Sequence, residues 1–138
     1  MDILRLDWNE YHKYIDKLAD KIQTSRSEAK SFAYKYVAGL EPDDLFIAVH
    51  LSHRLGIPVI TDINLLSMLT NFSDTNGLVL VVSNIVETGH TFESIMEQTG
   101  CQFDTAVIFK DENSNYKPTH YIKIPKEHIY FPWEKCGL

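Results

Sequence analysis

The strongest candidate for chemistry in this sequence is a short polar turn, Thr88-Gly89-His90-Thr91. Glycine permits a tight backbone turn, and the two threonines add hydroxyl donors. If a helix begins here, the amides of these residues converge at its N-terminus, where the peptide dipoles favour an anion. The alternative is an ordinary turn in which Thr91 caps the helix. The turn is therefore a candidate binding site for a phosphate monoester.

The residues on either side of the turn predict the elements that would position it. The run 78–82 is unbroken, apolar and rich in valine, which is typical of a strand buried on both faces of a parallel sheet. A helix is predicted over about 92–99. Ligands of open α/β sheets bind at the carboxyl ends of the strands, so the turn lies where a ligand is expected.

Strand-like and helix-like segments alternate along the rest of the chain. A helix over 7–22 is predicted because its apolar residues recur at steps of three and four. A second helix is predicted over about 42–55, a mobile loop over 61–77, and further strands at 36–39, 57–60, 105–109 and 120–124, before a final apolar segment at 129–134. The pattern predicts one α/β domain over residues 1–138, with a mostly parallel central sheet flanked by helices.

Composition and charge exclude several classes of function. Thirteen Lys and Arg against nineteen Asp and Glu give a formal charge of −6, which disfavours binding to nucleic acids and to anionic membranes. The two cysteines form no CxxC pair, so zinc and a disulfide scaffold are not expected. No apolar run reaches the roughly 20 residues of a membrane span, and no signal peptide is recognised, so we expect a cytoplasmic protein.

The segment 79–91 resembles the phosphoribosyl-pyrophosphate (PRPP) motif of the type I phosphoribosyltransferases. That motif is an apolar strand, two acids, two apolar residues and then Asp-Thr-Gly-x-Thr. The similarity extends over about residues 6–134 and is closest to the bacterial xanthine and hypoxanthine-guanine branch, including the final Phe131-Pro132-Trp133-Glu134. The resemblance implies a Rossmann-like phosphoribosyltransferase fold with a small C-terminal hood.

The resemblance also implies a role for each matching residue. Thr88, Gly89, His90 and Thr91 would hold the 5′-phosphate of PRPP, and Glu87 would be the catalytic carboxylate that accepts a proton from a purine. The residues that would contact the base are Lys110, His128 and Ile129. A base nitrogen would displace pyrophosphate from PRPP in the presence of Mg²⁺ to give a nucleoside monophosphate. No side chain is assigned as a metal ligand by the resemblance, and a homodimer is expected.

Two departures from the family pattern affect the expected activity. The acidic pair that binds the ribose hydroxyls is replaced by Ser83-Asn84, which can hydrogen-bond but carries no charge. The first loop has Glu41-Pro42-Asp43-Asp44 in place of an arginine-containing pyrophosphate loop, and we interpret these acids as an ordinary helix start. Loss of the acidic pair should weaken turnover more than binding. The three acids of the first loop would repel pyrophosphate unless Mg²⁺ screens them.

Three hypotheses therefore remain open from the sequence. The first is an active purine phosphoribosyltransferase. The second is a homologue without catalysis that binds a nucleotide or PRPP as a regulatory or sensing module. The third is an unrelated α/β domain in which residues 88–91 are only a turn.

Overall fold

A computed structural model describes residues 2–28, 34–66, 79–100 and 102–134 of the chain. Its elements, in chain order, are β1 (Ile3–Arg5), α1 (Trp8–Glu28), β2 (Tyr36–Gly39), α2 (Leu45–Leu55), β3 (Val59–Ile60), β4 (Val79–Val86), α3 (His90–Thr99), β5 (Asp104–Lys110), β6 (His120–Lys123) and β7 (His128–Tyr130). Two short 3-10 helices lie at Pro42–Asp44 and Ile63–Leu65. In the described ranges, no helix is long and apolar enough to cross a membrane.

Five of the strands form a parallel sheet in the order β3-β2-β4-β5-β6. β4 is its central strand, and the side chains of its first four residues have no exposed surface. This confirms the α/β fold with a parallel sheet that the apolar runs predict. It also means that the carboxyl ends of β2, β4 and β5 meet at one edge.

Helices cover both faces of this sheet. Leu80 and Val82 of β4 pack with α1 and α2, whereas Val79 and Val81 pack with α3. Successive strand residues point to opposite faces, so a strand buried on both sides needs the continuous apolar run seen in the sequence. The core thus lies in two layers, and β4 contributes to each.

The C-terminal hood, here residues 125–134 around β7, is attached to the N-terminus through a second, two-stranded sheet. β1 pairs in parallel with β7, placing Leu4 opposite Ile129. Backbone bonds extend the pairing, since the Leu6 amide donates to the Tyr130 carbonyl at 2.9 Å and the His128 amide donates to the Asp2 carbonyl at 2.8 Å. β1 cannot be predicted from the sequence, because three residues are too few to show a period.

Several predicted boundaries require correction. α1 continues to Glu28, beyond the predicted end at residue 22. β4 continues to Val86, so Ser83 and Asn84 belong to the strand and not to the following loop. The reason is that β5 runs alongside, and Ser83 pairs with Val107 while Val86 pairs with Lys110. Most of the predicted mobile loop at 61–77 lies outside the described residues, which end at 66 and resume at 79.

Candidate phosphate and nucleoside site

A cleft of about 400 Å³ opens at the carboxyl edge of the sheet. Three parts of the fold surround it: the loop after β2, the end of β4 with the turn into α3, and the segment after β7. The lining residues are Leu40, Glu41, Asp43 and Asp44 of the first loop, Ser83 through Gly89 with Thr91 and Phe92, and Phe131, Trp133 and Glu134. The cleft therefore lies where the sequence predicts a ligand.

The turn at the base of the cleft depends on Gly89. Its φ is +80° and its ψ is 0°, a left-handed conformation that other residues adopt only at a cost. A Cβ at this position would lie 2.4 Å from the Cβ and Cγ of Tyr116. Tyr116 itself stacks on Phe92, with ring centroids 5.3 Å apart, and does not line the cleft. Tyr116 thus packs against the side of the turn that faces away from the cleft and does not fill the cleft.

The amides of this turn are available to an anion. Among the described residues, no hydrogen-bond acceptor is found for the backbone N–H of Gly89 or Thr91, and that of His90 has only a long contact of 3.3 Å to Thr88 Oγ1. Unsatisfied amides at a helix N-terminus attract phosphate oxygens. Thr88 and Thr91 are exposed and line the cleft together with Gly89, whereas His90, which the resemblance predicts to bind the phosphate, is not among the lining residues.

Asp44 joins the first loop to the end of β4. The side chain is 5% exposed, and its Oδ1 accepts hydrogen bonds from Ser83 Oγ at 3.2 Å, from the Asn84 amide at 2.9 Å and from Asn84 Nδ2 at 3.0 Å. Its Oδ2 accepts from the Glu41 amide at 3.0 Å. Asp44 does belong to a helix start, as predicted, since its bond with the Glu41 amide completes a capping box. The sequence does not predict that this carboxylate is also buried and binds a neighbouring strand.

Burial raises the pKa of Asp44 to about 6, although the hydrogen bonds from Asn84, Glu41 and Ser83 oppose the shift. Desolvation penalises the charged form of a carboxyl group, and donated hydrogen bonds stabilise it. Asp44 is therefore the titratable group that couples the first loop to β4.

Ser83 and Asn84 use their polar atoms within the protein. Asn84 Nδ2 donates to the Asp43 carbonyl as well as to Asp44, and Asn84 Oδ1 accepts from the buried Tyr11 hydroxyl at 2.5 Å. The Ser83 hydroxyl lies within 3.2 Å of both Asp44 Oδ1 and the Ile85 carbonyl. The predicted ribose-binding side chains line the cleft, but in this structure their donors bind protein acceptors.

A second cavity of about 210 Å³, here called the hood pocket, lies between β4 and the hood. Glu87 lines both the cleft and the hood pocket, so it lies where the two meet. The predicted base-binding residues His128 and Ile129 also line the hood pocket. Lys110 lines neither cavity, because its Nζ donates to the Ser114 carbonyl at 3.1 Å.

An aromatic stack closes the cleft on the C-terminal side. The Trp133 ring lies between Phe131, at a centroid distance of 5.0 Å and an angle of 4°, and Phe46 of α2, at 4.8 Å and 24°. Offset stacking of this kind adds about 1 kcal/mol per pair to the area that is buried. The segment 131–134 is thereby held against the first loop and α2.

The buried carboxyl group of Asp44 predicts a specific pH dependence of stability. Its pKa in the folded protein is about 6 and its ordinary value is 3.8, so the folded protein keeps a proton that the unfolded chain releases. Stability is therefore lost as the pH rises through that window, by roughly 3 kcal/mol in total. Denaturant unfolding at pH 4 and pH 7 should show wild type losing about this amount relative to Asp44→Asn.

The control for this experiment is Asp43→Asn, which removes an exposed acid from the same loop. It should keep the pH dependence of the wild type. A difference between wild type and Asp44→Asn that is the same at both pH values would contradict the burial of a titrating carboxyl group at this position.

Gly89→Ala should disrupt the turn. The new Cβ would meet Tyr116 as well as adopt an unfavourable φ, and we expect a loss of about 3 kcal/mol or more in the free energy of unfolding. Gly100→Ala at the other end of α3 is the matched control, since Gly100 has a φ of +66° with nothing within 4 Å of an added Cβ. It should cost only about 1 kcal/mol. Equal losses in the two variants would argue against the Tyr116 contact.

Neither a protein-family model nor a curated protein matches the chain by sequence. Solved structures do match. A purine phosphoribosyltransferase from Pyrococcus horikoshii is 22% identical with a TM-score of 0.73, covering 100% of this chain and 97% of its own. The xanthine-guanine-hypoxanthine phosphoribosyltransferase of Helicobacter pylori is 17% identical with a TM-score of 0.74, covering 96% and 93%.

A third match is a hypothetical protein of Neisseria gonorrhoeae with bound ppGpp, which is 15% identical with a TM-score of 0.74 and coverage of 99% and 91%. All three matches span nearly the whole of both chains, so the agreement extends from the N-terminal strand to the hood. The fold of this chain is therefore the phosphoribosyltransferase fold, as the sequence resemblance predicts.

Proposed function

We propose that the chain binds the 5′-phosphate of a purine nucleotide or of PRPP on the turn at 88–91, with the ribose in the cleft and the base in the hood pocket. The observation that carries this proposal is the left-handed turn at Gly89, whose amides line an open cleft at a helix N-terminus. Two structural matches are named as purine phosphoribosyltransferases, and the third holds ppGpp, which supports a purine nucleotide as the ligand.

Transfer of phosphoribosyl from PRPP to a purine base is the reaction that we propose for an active site of this design. Its support is the place of Glu87 between the cleft and the hood pocket, where a carboxylate would meet a base positioned against the ribose. Glu87 would accept the proton that the attacking base nitrogen loses. The stack of Phe131, Trp133 and Phe46 would limit the entry of water from the C-terminal side.

Magnesium fits the oxygen donors of this cleft only together with the substrate. Among the described residues, no cluster of three or more potential ligands is arranged to hold a metal ion. Mg²⁺ commonly uses one or two carboxylates plus substrate phosphates, and Glu41 and Asp43 are the cleft acids placed on the first loop to serve in this way. When bound, the ion would neutralise the charge of the leaving pyrophosphate.

A nucleotide-binding role without catalysis is the second candidate. It is favoured by the charge of the cleft, because the described residues that line it include five acids and neither lysine nor arginine. The carboxylates would repel free pyrophosphate electrostatically. The amides of the turn at 88–91 could still bind a monophosphate. It is also favoured by Ser83 and Asn84, whose donors are bound to Asp44 and other protein acceptors. A homodimer and a cytoplasmic location remain predictions under both candidates.

Calorimetry with ribose 5-phosphate tests the phosphate site directly. Thr91→Val removes one hydroxyl donor from the cleft while keeping the shape of the side chain, so binding should weaken about tenfold. Thr99→Val, at the opposite end of α3, is the matched control and should bind as the wild type does. No binding of ribose 5-phosphate by the wild type, or equal affinities in the two variants, would contradict the proposal.

Exchanging the carboxylate and the amide between two positions tests whether catalysis is limited by charge. Asn84→Asp alone places two acids together and should destabilise the fold at pH 7. Asp44→Asn with Asn84→Asp moves the carboxylate to the strand end, where the resembled family has an acid, and should restore the pairing. Turnover of PRPP with purine bases and Mg²⁺ should rise about tenfold or more in the double variant. Unchanged turnover with retained binding would show that the position of the acid is not limiting.

A further inference from the structure

We propose that the hood pocket selects a 6-aminopurine, whose exocyclic amine donates N–H groups, over a 6-oxopurine, whose exocyclic oxygen only accepts. This inference rests on the proposed function, since it assigns the base to the hood pocket. It concerns which purine base binds there, and it follows from the charged groups and hydrogen-bond acceptors that line that cavity.

Acceptor groups dominate the lining of the hood pocket. Of the described residues, no lysine or arginine lines it, whereas four residues with carboxyl groups do: Glu87, Asp111, Glu127 and Glu134. A carbonyl oxygen placed against carboxylates meets like partial charges with no donor between them, whereas an exocyclic amine donates to them. The pocket therefore favours an amine where a 6-oxopurine has oxygen.

One of these acceptors lacks a partner. Glu127 Oε2 is buried and has no hydrogen-bond partner among the described residues. A buried acceptor without a donor is costly, and a ligand that brings an N–H group would relieve that cost. The pocket thus contains, besides its negative charge, a buried acceptor that has no hydrogen-bond donor among the described residues.

Two other carboxylates are held in place by backbone amides. Asp111 accepts from the Asn113 amide at 2.8 Å, and Glu134 accepts from the Phe131 amide at 3.2 Å. Each of these bonds occupies one carboxylate oxygen, and the other oxygen can accept from a ligand. The acceptors of the pocket are therefore positioned before a base arrives.

One cation that would reverse this preference, Lys110, is bound elsewhere. Lys110 would meet an exocyclic base oxygen according to the family resemblance, but its Nζ donates to the carbonyl of Ser114, a residue that is 8% exposed. His128 is the lining side chain that can donate, and an imidazole N–H suits the ring nitrogen beside an exocyclic amine. Amine and adjacent ring nitrogen together match the edge of adenine.

The test is calorimetry of the full chain with AMP, IMP, XMP and ribose 5-phosphate at one salt concentration. We expect AMP to bind at least about tenfold more tightly than IMP or XMP, since the exocyclic oxygen of an oxo base would face carboxylates where the amine of adenine donates to them. Glu127→Gln should reduce the ratio of AMP to IMP affinity several-fold, because the amide supplies a donor for a base oxygen. Glu112→Gln, which neutralises an exposed acid that does not line the pocket, should leave that ratio unchanged.

The outcomes separate the two proposals. If ribose 5-phosphate binds but IMP or XMP equals or exceeds AMP, the base preference is overturned while the phosphate site stands. The same conclusion follows if Glu127→Gln folds and keeps the wild-type ratio. If no phosphate ester binds, including ribose 5-phosphate, the proposed function fails and the base preference fails with it.

Discussion

The contact between the backbone at Gly89 and the ring of Tyr116 determines the geometry of the candidate site. Tyr116 leaves no room for a Cβ at residue 89, which has a left-handed conformation and directly precedes α3 at the edge of the cleft. Tyr116 is itself fixed by stacking on Phe92 and by a 3.2 Å hydrogen bond from its hydroxyl to Thr105. A residue with a side chain cannot occupy this position without displacing that packing.

Asp44 provides the second constraint, and its negative charge is unfavourable for the proposed phosphoribosyl transfer, in which pyrophosphate leaves. Its carboxylate accepts from Ser83 and Asn84, the residues to which the family resemblance would assign the ribose hydroxyls. The negative charge therefore lies on the first loop, beside the space where pyrophosphate would leave. Binding of a monophosphate requires only the amide turn at 88–91, whereas stabilising a leaving pyrophosphate requires positive charge at the first loop, where the cleft has acids. These hydrogen bonds also fix the first loop, because the acceptor is in that loop and the donors, Ser83 and Asn84, lie in the central strand.

The sequence was sufficient to predict the sheet, the central strand and the turn at 88–91, because each depends on local pattern. The apolar run of β4 and the glycine of the turn are visible without knowledge of any partner. The burial of Asp44 could not be predicted because its partners are about 40 positions away, and charge alone does not reveal burial. The orientation of Lys110 and the β1–β7 pairing are likewise set by contacts between segments, which a single sequence does not show.

The most direct measurement of the central claim is a titration of the ¹⁵N-labelled protein with ribose 5-phosphate, followed through its backbone amide resonances. The account predicts that the amides of Gly89, His90 and Thr91 shift together, with one common affinity, as they bind the phosphate oxygens. Shifts confined to other parts of the surface, with these three amides unmoved at saturation, would contradict it.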